Sequence, residues 1–150
     1  MKILIDADAC PVVRQSLAVA KKHAIEAVLF CDTAHIMEHE GAVTVTVGQG
    51  SDAVDFKLVN ETKKGDIVIT QDYGVAAMAL AKGAYCINQN GMIYDEHNID
   101  TLLLNRYVAK KVRMAGGRTT NAKKRKKEAD TAFINALDAL CRKILYSDML

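Results

Sequence analysis

DIVITQDYGVAAMALAKGAYCIN, residues 66–88, decides the fold. Its first six residues, 66–71, form an apolar run with β-branched side chains, which reads as a strand. Residues 73–82 read as a helix, and Gly83 stops it. Residues 84–88 return to strand. Strands that alternate with helices imply βαβ units and a mostly parallel sheet. The pattern continues toward the amino end. Residues 2–6 (KILID), 25–31 (IEAVLFC) and 42–47 (AVTVTV) read as three earlier strands. A helix from about Pro11 to His23 follows the first of them, since proline suits a first helical turn. Another is expected from about Asp52 to Lys63, N-capped by Ser51 and ended by Gly65. Nearly continuous apolar strands fit burial on both sheet faces.

Toward the carboxyl end, NQNG at 88–91 signals a turn. A helix is expected over about 100–114, with Asn98 or Asp100 as its cap. The loop GGRTTN at 116–121 and a last helix over about 128–145 complete the chain. That last helix carries one apolar stripe, through Phe133, Leu137, Leu140 and Ile144. The chain has 150 residues, half of them hydrophobic and a quarter charged, which fits one α/β domain with a proper core. No apolar run reaches the roughly 18 residues of a membrane span. Cys10, Cys31, Cys86 and Cys141 lie far apart without a CxxC pair, so they read as reduced, mostly buried thiols of a cytoplasmic protein.

Charge is divided unevenly. Residues 1–104 hold 8 Lys/Arg against 14 Asp/Glu, a balance of −6, whereas 105–150 hold 12 against 4, a balance of +8. An acidic α/β core is thus followed by a basic helical part, which points to an acidic site and a polyanion-facing segment.

The acids fall where such a site belongs. Asp6 and Asp8 stand at the end of the first strand, and Asp72 closes the fourth. Ligands of open α/β sheets bind outside the carboxyl ends of the strands. Asp52 and Asp55, three apart at a helix start, can meet them from the side. Two carboxylates about 5 Å apart repel by about 3 kcal/mol at an effective dielectric near 20. One of them must then hold a proton, or a cation must sit between them. An oxygen-only donor set favours Mg²⁺ or Mn²⁺ over zinc. A plainer use exists for each: Asp8 and Asp72 precede helices and can cap them, and Asp52 and Asp55 suit a helix N-terminus.

Five motifs carry a resemblance: DADACPV at 6–12, GSDAVDF at 50–56, DIVITQDYGVAAMALAKGA at 66–84, NQNGMIY at 88–94 and AGGRT at 115–119. Together they resemble the YaiI/YqxD family, which is related to PIN-like domains. The resemblance implies a three-layer α/β/α fold. It also implies a metal-dependent ribonuclease site, since many PIN-like domains are such enzymes, although some lack nuclease activity. Asp6 and Asp72 resemble two of its acids, and Asp52 or Asp55 the acid supplied by an intervening helix.

Two further motifs compete. GQGSDA at 48–53 partly matches a dinucleotide fingerprint, but Asp52 and Asp55 would oppose a pyrophosphate there. HIMEH at 35–39 spells H-x-x-E-H, without an evident third zinc ligand; an exposed polar connection is the plainer reading.

From Asn105 to Lys127 every charge is positive. Lys110, Lys111, Arg113, Arg118, Lys123, Lys124, Arg125, Lys126 and Lys127 are expected to hold a nucleic-acid backbone, RNA rather than DNA. Lysines at the start of the last helix oppose its dipole by about 0.3–1 kcal/mol, so helix stability does not explain them. Phosphate binding would; the plainer reading is a solvated run or a targeting-like patch. Tyr73, Tyr94 and Tyr107 are candidates to stack a base. The expected function is phosphodiester hydrolysis at the aspartates; the alternatives are a non-catalytic nucleic-acid binder on the same fold and a nucleotide-binding or phosphatase protein using GQGSDA.

Overall fold

A computed structural model describes residues 1–35, 38–50, 52–117 and 124–147. Strand β1 (Lys2–Asp6) leads to helix α1 (Val13–Lys22) and strand β2 (Glu26–Asp32). A 3-10 turn at Thr33–His35 precedes β3 (Ala42–Val47), α2 (Ala53–Glu61) and β4 (Ile67–Ile69). Helix α3 (Tyr73–Ala81), strands β5 (Tyr85–Ile87) and β6 (Ile93–Tyr94), and helices α4 (Ile99–Met114) and α5 (Lys127–Tyr146) follow. The sheet order is β3-β2-β1-β4-β5-β6. Strands β1 to β5 are parallel, and β6 pairs antiparallel with β5. The short β6 lies beyond the NQNG turn and was not expected from the sequence.

Strand alternation sorts the core into two layers. Ile3, Ile5, Leu29, Ile67 and Ile69 pack with Val19 of α1 and with Phe133, Leu137 and Cys141 of α5. Leu4, Val28, Phe30 and Val68 face the other way, toward Leu58 of α2, Ala76 and Ala79 of α3, and Ile99 of α4. The result is a three-layer α/β/α domain. The fully buried β-branched and leucine side chains of β1, β2 and β4 drive this burial, at about 25 cal/mol per Å² of apolar surface.

Several local expectations are corrected. Helix α1 starts after Pro11, with Val12 as N-cap and no side-chain cap, so Asp8 does not cap it. Asn98 precedes α4 but does not cap it by side chain; it binds Asp95 N through Oδ1 and Ile93 O through Nδ2 instead. Asp72 does cap α3. The expected Ser51 cap of α2 lies outside the described residues. All four cysteines are free thiols, three buried and Cys10 half-buried. No described helix is long and apolar enough to cross a membrane.

Candidate metal centre and adjoining basic surface

Strand order fixes the site. The chain runs from β1 outward to β2 and β3, then crosses back to β4 on the other side of β1. The crevice outside the carboxyl ends of β1 and β4 is therefore the topological switch point, where open α/β sheets bind ligands. Ile5 pairs with Ile69, so Asp6 and Thr70 stand side by side one step further on. Alternation turns both toward the layer of α2, α3 and α4.

Thr70 is the hinge pin of this edge. It is 1% exposed. Its Oγ1 donates to Asp6 Oδ2 at 2.9 Å and accepts from Asp72 N at 3.0 Å. Its carbonyl accepts from the Tyr94 hydroxyl at 3.1 Å. Tyr94 is buried, so it supports the site from below and is not free to stack a base. Tyr73 meets it edge to face at 6.1 Å. Asp72 Oδ1 accepts from Gly74 N at 2.7 Å and Val75 N at 3.2 Å. A Cβ on Gly74 would sit 3.1 Å from that oxygen, tighter than an ordinary contact, so a larger residue there would nudge the Asp72 carboxylate.

Four carboxylates act on one another at this edge. Burial pushes the Asp6 carboxyl up to about 6, helped by the charges of Asp55, Asp72 and Asp8 and opposed by the Thr70 hydrogen bond. Burial also raises Asp55, with Asp72, Asp52 and Asp8 adding to it. Asp8 is raised by burial and by Asp32, against the Asp32 amide and His35. Asp52 is exposed and holds a left-handed φ of 66° at the start of α2. Ala9 is left-handed too, at φ 58°, and its carbonyl accepts from Gln71 Nε2 at 3.0 Å. Such strain gathers at sites whose geometry is imposed by their surroundings.

The sequence expectation thus places its acids in two degrees. Asp6, Asp8, Asp55 and Asp72 come within electrostatic reach of one another, and Asp52 adjoins Asp55. Asp8 leans outward, taking Asp32 N with both oxygens at 3.4 and 3.3 Å. Asp32 and His35 then pair at 2.7 Å. Asp8, Asp32 and His35 each offer one ligand atom within 4.8 Å of the others, an arrangement already closed by its own hydrogen bonds. His35 is the only described part of HIMEH in this cluster; Ile36 and Met37 lie outside the described residues.

Sequence reading missed Thr70, and it placed Arg106 in the positive run without linking it to Asp72. Arg106 of α4 brings Nη1 to 3.6 Å from Asp72 Oδ1, with half its side chain exposed. The TQD run after a strand hinted at Thr70, because its alternation matches Asp72. Nothing local announces Arg106, whose role depends on how α4 packs on α3.

The basic residues divide. Lys110, Lys111 and Arg113 are exposed on α4, and Lys111 Nζ lies 5.4 Å from the Tyr107 ring centroid, a cation–π contact. Lys124 and Lys126 line a cleft of about 640 Å³ with Gln71, the neighbour of Asp72. Arg125 is spent inward, donating to Asp130, Asn90 and Gln89 O at 2.8, 2.8 and 2.6 Å. Lys127 begins α5. Arg118 and Lys123 lie outside the described residues.

A family model described as "Uncharacterized BCR, YaiI/YqxD family" matches residues 4–143. The chain belongs to the YaiI/YqxD family. It is 51% identical over 137 residues to a UPF0178 protein of Ruminiclostridium cellulolyticum, covering 91% of this chain and 90% of that one. It is 50% identical over 140 residues to a UPF0178 protein of Exiguobacterium sibiricum, covering 93% and 96%. A UPF0178 protein of Clostridium kluyveri is 52% identical over 130 residues, covering 87% and 86%. No solved structure matches the chain significantly. The YaiI/YqxD match spans the whole acid edge, from β1 through the start of α3, and most of the basic part.

Proposed function

We propose that this YaiI/YqxD protein is a divalent-metal-dependent nuclease that hydrolyses phosphodiester bonds in nucleic acid, RNA in preference to DNA. The observation that carries the reading is the gathering of Asp6, Asp8, Asp55 and Asp72 at the switch point, where burial raises Asp6 and Asp55 and the neighbouring carboxylates add to both. Among the described residues, only Arg106 and His35 oppose that charge by ion pairing. A divalent cation would resolve it. The donor set fits Mg²⁺ or Mn²⁺, because its atoms are carboxylate oxygens. Cys10 lies close enough to feel Asp6, but burial raises its thiol and withholds the thiolate that zinc would favour.

Asp6 and Asp72 would hold the cation, with Asp8, Asp52 and Asp55 completing the shell or orienting a water. The cation would lower the pKa of that water and offset charge on the phosphate oxygens. Thr70 fixes Asp6 through Oδ2, and the first amides of α3 fix Asp72 through Oδ1, so both carboxylates are oriented in advance. Arg106 stands where a guanidinium can meet a phosphate oxygen. Lys110, Lys111 and Arg113 would carry the backbone away along α4. The preference for RNA and the cytoplasmic setting rest on the resemblance to PIN-like ribonucleases and on the reduced cysteines.

The test is cleavage of end-labelled RNA and DNA of matched sequence with Mg²⁺, Mn²⁺ or chelator. RNA cleavage is expected with metal and not with chelator. Asp6→Asn and Asp72→Asn should each slow it on the order of 100-fold or more. Asparagine keeps the α3 cap, so the Asp72 variant should stay folded. Metal-independent binding without cleavage would instead make the protein a non-catalytic nucleic-acid binder. Nucleotide binding that survives Asp6→Asn would move the function to GQGSDA.

A further inference from the structure

The NQNG turn does more than reverse the chain. Asn88 Oδ1 accepts from Asn90 N at 2.9 Å and Met92 N at 2.8 Å. Gly91, at φ 88°, packs so closely on α5 that a Cβ would come 2.8 Å from Ala132 O and 3.0 Å from Ala136 Cβ. Only glycine fits there on both counts. Arg125 adds a second tie, from the segment just before α5 to Gln89 O and Asn90 Oδ1. The turn is therefore a rigid wall, its backbone held in place by packing on α5 and by Arg125.

That wall bounds the cleft of about 640 Å³ at the carboxyl edge, within the size range of small-ligand sites. Gln89 and Asn90 line one side, Gln71 the side nearest the acids, and Lys124 and Lys126 the rim. Pro11 gives it an apolar surface, and Glu128 adds an acceptor. Donors and acceptors are thus mixed, which a plain phosphate trough would not need. Gln89 Oε1 is buried with no hydrogen-bond donor among the described residues. A buried acceptor left unpaired is costly, and turning the Gln89 carboxamide toward a ligand N–H in the cleft would relieve it.

We propose that this cleft is a nucleotide subsite: Lys124 and Lys126 take a phosphate, and the carboxamides of Gln71 and Gln89 read the edge of the unpaired base beside it. Carboxamides suit that task because they offer a donor next to an acceptor, as each base edge does. The subsite rests on the nucleic-acid reading above and deepens it, since Gln71 leads directly to Asp72 and the scissile position.

The test compares labelled RNA octamers, A8 and U8, with an abasic octamer of equal charge, by fluorescence anisotropy in Ca²⁺. The wild type should bind the base-bearing octamers about tenfold tighter, the scale of base contacts on a protein surface. Gln71→Ala and Gln89→Ala should each narrow that gap and leave the abasic affinity unchanged. Lys124→Ala with Lys126→Ala should weaken all three octamers alike. A structural role for Gln89 would lower the melting temperature without touching the gap, so thermal melts accompany each variant. Equal binding of A8, U8 and the abasic octamer overturns the base subsite and leaves the nucleic-acid reading intact. A gap that both glutamine variants preserve also overturns it. Failure of all three octamers to bind overturns both.

Discussion

Asp6 and Asp138 carry the same side chain in opposite electrostatic surroundings. Asp138, on α5, takes His23 Nε2 at 2.7 Å and Lys22 Nζ at 3.0 Å on Oδ1, and Arg142 Nη2 at 2.6 Å on Oδ2. Those hydrogen bonds, His23 first, pull its carboxyl down to about 2. Asp6 is largely buried among other carboxylates with one neutral donor, and burial first, then those charges, push its carboxyl up to about 6. The first region answers its own charge and staples α1 to α5. The second leaves its charge to something outside the chain. Charge resolved within the fold marks structure; charge assembled and left unresolved marks a place for a ligand.

The largest effect that would break this comparison is in the pH dependence of stability, measured in chelator by denaturant unfolding. A raised folded pKa means that folded Asp6 keeps its proton after the unfolded chain has lost it. Stability contributed by that proton is full below about pH 4 and is lost as pH rises toward about 6. The loss is about 3 kcal/mol, from roughly two pKa units at about 1.4 kcal/mol each. Asp6→Asn should remove this slope and be the more stable protein at pH 8. Asp138 runs the other way. Its depressed pKa gives stability that is present above about pH 4 and lost as pH falls toward about 2. Asp138→Asn should therefore be destabilised at neutral pH and converge on the wild type in strong acid. If both variants shift stability in the same direction at neutral pH, the contrast fails.

A smaller effect sharpens the comparison with a third region. Lys110, Lys111 and Arg113 on α4 are exposed cations without carboxylate partners among the described residues, the positive counterpart of the acid edge. Phosphate contacts would give them partners. Replacing all three by glutamine should flatten the slope of log K against log salt for single-stranded RNA by about 2, from about 0.7 per contact. An unchanged slope would leave α4 out of the interface.

Much of the architecture was legible because it depends on local pattern. Residues 66–88 announced a βαβ unit, and the strand-end rule put Asp6 and Asp72 on one edge. Local pattern also misled where long-range packing decides. Tyr94 looked like a base-stacking residue, yet it is buried beneath Thr70. Asn98 looked like a helix cap, yet it ties the chain after β6. Thr70 binds Asp6 across 64 positions, and Asp138 meets His23 across 115. No window of sequence reveals such pairs, because they follow from strand order and helix packing.

The most direct measurement of the central claim is the melting temperature of wild type and Asp6→Asn at pH 7.5, titrated with Mn²⁺ or Mg²⁺ from chelator to millimolar metal. A ligand that binds the folded state stabilises it by about 2.7 kcal/mol at 100 times Kd. The wild type should rise with metal, and Asp6→Asn should start higher and rise little. A wild type that does not move at millimolar metal, or a variant that moves as far, would contradict a metal centre at the Asp6 edge.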